Sequence, residues 1–167
     1  MSSTIQVDES LKEKVGPAIG RLTSGVHIVT IKDSEGRDGM LATWIAQAAF
    51  APPMVSIAVN RSREIMPRLK EGSFLAVNVL SKNNMDIFKA FAKPFQEGMD
   101  RFEGLDCEED SKGSPFFAKA VAYMSLKITG FAEAGDHVLV LGEVVDGAVL
   151  NGDDEPMVHL RKSGFQY

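Results

Sequence analysis

Three short stretches carry residue types that could bind a ligand. Asn60-Arg61-Ser62-Arg63 follows a strand-like run, and a helix is expected to begin at Ser62. Two guanidinium groups, a hydroxyl, an amide and the free N–H groups of a helix start would then meet at one spot. Those are the donors a phosphate needs, and the helix dipole adds to them. Ala42, Thr43, Trp44, Ile45, Ala46, Gln47, Ala48 and Ala49 form the second stretch. Its small side chains let a ligand approach the backbone. Thr43 and Gln47 could hydrogen-bond a polar heterocycle, and Trp44, the sole tryptophan, could pack beside it. The third is Gly135-Asp136-His137, a histidine directly after a tight turn. An imidazole at a strand end sits at a rim, where it could stack on or hydrogen-bond a second substrate. Each stretch also has a plainer reading: a charged surface turn, a small-residue packing face, a strand-end histidine.

Other chemistries find little footing. There are three histidines, His27, His137 and His159, and no Gly-x-Ser-x-Gly elbow. No His-x-His or His-Glu-x-x-His spacing suggests a metal, and Asp33-Ser34-Glu35-Gly36 lacks the ligand ladder of a calcium loop. Neither Gly-x-Gly-x-x-Gly nor a Walker loop occurs, so a nucleotide site of either type is not expected. The single cysteine, Cys107, rules out an intrachain disulfide and fits a reducing, cytoplasmic setting. A net charge of −5 argues against nucleic-acid binding. The N-terminal residues have no apolar signal core, and no apolar run is long enough to cross a membrane.

The elements that must position these stretches follow from periodicity. At 167 residues, with 44% hydrophobic and 25% charged residues, the chain reads as one globular domain. Residues 1–15 read as a polar lead-in to a domain over residues 16–167. Leu11, Val15, Ala18, Ile19 and Leu22 recur at helical spacing; Gly16-Pro17 either kinks this helix or starts it at Pro17, and Gly25 closes it. Strands are expected over residues 26–32, 41–50, 54–60, 74–80, 121–131 and 137–145. In the third, Val55, Ile57 and Val59 share one face. A helix over 62–71 has Ser62 as its cap, and a second carries Ile87, Phe88 and Phe91 as an apolar stripe behind Asn83 or Asn84. In the strand over 121–131, Tyr123, Ser125, Lys127 and Thr129 face water. Residues 106–112 form an acidic loop, and the tail is basic and aromatic. The fold class is mainly β with flanking helices, as a closed or nearly closed antiparallel barrel.

The order of several short motifs resembles a known family. Gly25-Val26, Gly39-Met40, Ala42-Thr43, Pro52-Pro53, Val77-Asn78-Val79-Leu80, Gly135-Asp136-His137 and Gly142-Glu143-Val144 together are similar to the flavin reductase-like family, whose fold is the antiparallel FMN-binding split β-barrel. Gly20-Arg21-Leu22-Thr23-Ser24-Gly25, Phe91-Ala92-Lys93-Pro94-Phe95, Asp100-Arg101-Phe102 and His159-Leu160-Arg161-Lys162-Ser163-Gly164 resemble more closely the flavin reductase module of cyanobacterial flavodiiron proteins.

That resemblance implies a homodimer binding FMN, with FAD as a second possibility, and NADH or NADPH as substrate. It puts the isoalloxazine against Thr43 to Ala49, including Trp44, Ile45, Gln47 and Ala48. It puts the phosphate near Asn60, Arg61, Ser62 and Arg63, with Lys93 and Arg101 as weaker contributors, and the nicotinamide beside His137. Ala49 stands where many members have a serine, which implies weaker flavin retention and flavin used as a substrate. The implied activity is NAD(P)H:flavin oxidoreduction, with electrons passed to a monooxygenase, a ferric complex or a redox-protein acceptor. The alternative is a non-enzymatic FMN-binding electron-transfer protein.

Overall fold

The computed structural model describes residues 6–167, so the first five residues of the expected lead-in lie outside it. Helix α1, Glu9–Ile19, starts inside that lead-in. Asp8 caps it by accepting the Leu11 N–H at 3.1 Å. The helix runs through Pro17 rather than starting there. The bond Pro17 cannot make is the one to the carbonyl of Glu13, an exposed residue, where water can substitute. Gly20, not Gly25, ends the helix. Ser24–Gly25 is instead a short strand, β1.

The remaining strands are β2 (His27–Asp33), β3 (Gly36–Ala42), β4 (Ile45–Ala49), β5 (Met54–Asn60), β6 (Phe74–Val79), β7 (Glu108–Glu109), β8 (Pro115–Phe116), β9 (Ala122–Ala134), β10 (His137–Val149) and β11 (Val158–His159). Helix α2 covers Met85–Ala92, entered through a 3₁₀ turn capped by Ser81 and Asn84. Seven strands form one sheet in the order β3-β2-β6-β9-β10-β5-β4, every pair antiparallel. Its edge strands, β3 and β4, are separated in sequence only by Thr43 and Trp44. A flat sheet would hold these edges about 29 Å apart, six steps of ~4.8 Å. Three Cα steps span about 11 Å. The sheet must therefore curl until its edges approach, giving a barrel left open at a split between β3 and β4.

Both faces of this sheet are covered. Inside lie Val29, Ile57, Val59, Leu75, Val77, Leu126 and Ile128. Outside, α2 brings Ile87 and Phe91 against Ile28, Leu80, Phe102 and Phe117. Ser125 was expected to face water but is fully buried. The row Thr30, Ala76, Ser125 is roofed by the chain at Pro115, whose carbonyl accepts from Thr30, while the Phe117 N–H donates to Asn78 at 3.0 Å. Alternation alone could not anticipate a roof supplied by a distant segment.

Two further expectations change. The strand over 41–50 breaks at Thr43 and Trp44. The helix over 62–71 shrinks to a single 3₁₀ turn, Met66–Arg68. Pro67 contributes to this, because it has no N–H for the Arg63 carbonyl, which accepts instead from the Met66 N–H at 3.0 Å. A two-stranded ribbon, β1 with β11, ties the C-terminal segment back to the chain after α1. Among the described residues, no helix is long and apolar enough to cross a membrane.

Candidate functional site

The split is where the sequence-predicted residues gather. Ala42 ends β3, and its carbonyl accepts from the Nδ1–H of His27 at 3.2 Å. Burial pushes the His27 imidazole below its ordinary value of 6.5, with the Ala42 carbonyl opposing that shift. A neutral ring carrying its proton on Nδ1 thus secures the end of β3. Gly25 leaves room for this ring, since a Cβ there would lie 2.6 Å from His27 Cε1. Thr43 and Trp44 then step out of the sheet, apart from the Trp44 carbonyl, which accepts from the Ala58 N–H at 3.0 Å.

A cavity of about 70 Å³ opens at this step, lined by Met40, Leu41, Ala42, Thr43, Trp44, Ala58, Asn60, Arg63 and Tyr167. A larger one of about 320 Å³ adjoins it, with Asp136, His137 and residues 164–167 in its lining. Trp44, Asn60 and Tyr167 wall both. His137 and Asn60 are cross-strand partners on β10 and β5, so the rim histidine and the candidate phosphate turn meet at one end of the sheet.

Side-chain geometry is tight around Trp44. Its ring lies 4.9 Å from His137 and 5.5 Å from Tyr167, centre to centre. The Arg161 guanidinium stands 5.0 Å from the Trp44 ring. His137 Nδ1 is 2.7 Å from an Asp136 carboxylate oxygen, and Nε2 is 2.8 Å from the Tyr167 hydroxyl. A carboxylate only accepts, so Nδ1 donates to Asp136. In the neutral ring Nε2 then accepts from Tyr167.

The phosphate turn differs from expectation. With no α-helix beginning at Ser62, there is no fan of helix N–H groups or helix dipole. Asn60 Oδ1 instead accepts from the Ser62 N–H at 2.9 Å and the Ser62 hydroxyl at 2.7 Å. Arg61 turns away, paired with Glu133 and donating to the Gly135 carbonyl at 3.1 Å. Arg63 remains at the cavity and has no carboxylate partner among the described residues. Arg101 joins Arg63 around a small neighbouring recess and bonds the Gly39 carbonyl at 3.3 Å. Its buried Nε has no protein partner among the described residues. Asp38, paired with Arg68, and Glu64 also line the recess, but among the described residues neither Arg63 nor Arg101 has a carboxylate within ion-pair distance, which leaves both guanidinium groups able to meet an anion such as a phosphate.

Other sequence candidates lie elsewhere. Ile45 and Gln47 line a separate cavity beyond β4, with His27, Met54 and Met124. The Gln47 amide contacts the Ala49 carbonyl within its own strand. Ala48 and Ala49 line none of these cavities, and Lys93 is an exposed residue ending α2.

Sequence reading missed Arg161 and Tyr167 as site groups. The basic, aromatic character of the tail was the available signal. Its placement depends on β11 and on three glycine contacts with α1: the Gly164 N–H donates to the Gly16 carbonyl at 2.7 Å, and Gly16 and Gly20 leave room for Ser163 and Arg161.

Comparison with known proteins agrees with this architecture. Residues 19–166 match the flavin reductase like domain. Diflavin flavoprotein A 1 of Synechocystis sp. is 36% identical over 160 residues, covering 95% of this chain and 28% of that protein. A diflavin flavoprotein of Nostoc sp. is 40% identical over 154 residues, covering 92% of this chain and 27% of its own. The chain thus spans less than a third of the length of these relatives. Among solved structures, the NADH:FAD oxidoreductase of Streptomyces globisporus superposes with a TM-score of 0.81 at 28% identity, covering 96% of this chain and 94% of that one. The chain belongs to the flavin reductase-like family of oxidoreductases, built on a mainly β, antiparallel split barrel.

Proposed function

We propose that this chain is an NAD(P)H:flavin oxidoreductase that binds FMN and passes electrons on to an acceptor. The observation that carries this reading is the pair of adjoining cavities sharing Trp44, Asn60 and Tyr167, one edged by Arg63 and the other by His137. Two cavities side by side suit two rings that must come face to face. A bound flavin supplies the acceptor for the hydride of a reduced nicotinamide, so no protein nucleophile is required.

The chain's own residues orient the partners and shield them from water. Ala42, Thr43 and Trp44 hold the flavin ring through backbone and apolar contact. Arg63 and Arg101 take the phosphate, with Asn60 shaping the turn between them. His137, its Nδ1 proton held by Asp136, presents Nε2 to the nicotinamide. The Streptomyces neighbour's NADH:FAD activity and the diflavin character of the relatives support a flavin and a nicotinamide as ligands. A homodimer, a monooxygenase or redox-protein acceptor and a cytoplasmic setting complete the proposal.

The test is to mix the protein with FMN and NADH or NADPH in the presence of an electron acceptor and follow nicotinamide oxidation. Oxidation with either nicotinamide is expected. A flavin that stays oxidised with both, yet exchanges electrons with a redox protein, would instead identify an electron carrier.

A further inference from the structure

Tyr167 touches one group in each of the three proposed subsites: ring, nicotinamide and phosphate. Its ring lies 5.5 Å from Trp44, its hydroxyl 2.8 Å from His137 Nε2, and the Arg63 guanidinium 5.9 Å from its ring centre. It also walls both cavities. The cavity on the flavin side holds about 70 Å³, against the several hundred Å³ of usual ligand sites. A tricyclic ring does not fit there with the phenol in place.

The segment is anchored through the Gln166 carbonyl, and the Tyr167 side chain lies just beyond that anchor. Arg161 is 7% exposed and donates through Nη1 to the carbonyls of Gly164 and Gln166 at 3.2 and 3.1 Å. Gly164 sits so close to α1 that a Cβ would be 2.3 Å from Ile19 Cγ2. Tyr167 itself is 64% exposed. Its phenol can swing out while the anchored part of the strap stays put.

We propose that Tyr167 is a displaceable occupant of the ring site: entry of the flavin ring moves the phenol aside, and the same movement frees Arg63 for the phosphate and His137 Nε2 for the nicotinamide. This rests on the functional reading above. The closed and open states are in equilibrium, and a ligand that binds only the open one has its affinity reduced by the open fraction. With about one molecule in ten open, apparent affinity falls about tenfold.

The experiment is calorimetric titration of wild type, Tyr167→Ala and Tyr167→Phe with FMN alone and with oxidised NAD alone. Tyr167→Ala is expected to bind each about tenfold more tightly than wild type. Tyr167→Phe, which keeps the ring and loses the hydroxyl, should fall between them. Emission from Trp44, the sole tryptophan, should change in ligand-free Tyr167→Ala, because its neighbouring ring is gone. If wild type binds FMN and Tyr167→Ala binds it no tighter, the gate is wrong and the functional reading stands. A gain for one ligand without the other breaks the shared movement and overturns the proposal. If no form binds FMN, the functional reading falls and takes the gate with it.

Discussion

The site has two walls of opposite construction. One is sheet: β3, β5 and the rim of β10, hydrogen-bonded along their lengths and backed by Ile57 and Val59, which are 0% and 1% exposed. The other is strap: residues 161–167, without a strand ladder, held by Arg161 and by glycine contacts with α1. Burial and cooperative hydrogen bonding make the first wall inseparable from global folding. The strap's contacts are few, so it can open at much lower free energy than the sheet unfolds. On the proposed reading, one wall sets where a ligand sits and the other whether the place is available.

The comparison breaks or sharpens under mutation. Ile57→Ala removes a fully buried side chain, expected to cost about 2–5 kcal/mol of global stability, read by denaturant unfolding. Gly164→Ala is expected to cost about 1–3 kcal/mol, because its Cβ meets Ile19, with strain confined to the strap–α1 contact. Amide exchange should then speed up in residues 161–167 and in α1 while the sheet stays protected. Equal loss of sheet protection in both variants would make the two walls one unit.

The next effect separates two arginines that look alike in sequence. Arg63→Ala is expected to weaken FMN binding by about 1.5–3 kcal/mol, through loss of a charge-assisted contact, and riboflavin binding far less. Arg61→Ala should matter little to either, because Glu133 and the Gly135 carbonyl already occupy that side chain. Comparable losses from both substitutions would return the phosphate to the whole Asn60–Arg63 turn.

The smallest effect concerns the sheet wall's anchor, His27. Its folded imidazole lies below 6.5, so the unfolded chain takes up the proton first as pH falls through that value. The stabilising contribution is therefore present above 6.5 and lost below it. His27→Gln should flatten the fall in melting temperature between neutral pH and about pH 5. An unchanged slope would assign that fall to other groups.

Much of the sheet wall was legible in advance. Met54–Asn60 has the expected bounds, and Val55, Ile57 and Val59 are buried together on the face that alternation predicted. Gly135-Asp136 turns as read, delivering His137 to the end of β10. The structure departs from the sequence reading at proline and at distance. Around Pro67 the expected helix is one 3₁₀ turn, so no α-helix N-terminus stands at the candidate phosphate turn. Gln47, Ala48 and Ala49 follow β4 away from the cavity, because the chain steps out at Thr43 and Trp44 and, of this stretch, only the residues up to and including the step line it.

Local chemistry in the sequence determined the strands, the turns between them and the residue types at the site: small side chains, an indole, guanidinium groups and a rim imidazole. Those properties depend on neighbours within a few positions, where periodicity and turn preference operate. The tertiary structure alone decided which arginine stays free and that the strap places Tyr167 between Trp44, His137 and Arg63. Those outcomes depend on partners far along the chain, Glu133 for Arg61 and α1 for the strap, and only the folded sheet brings such partners within bonding distance.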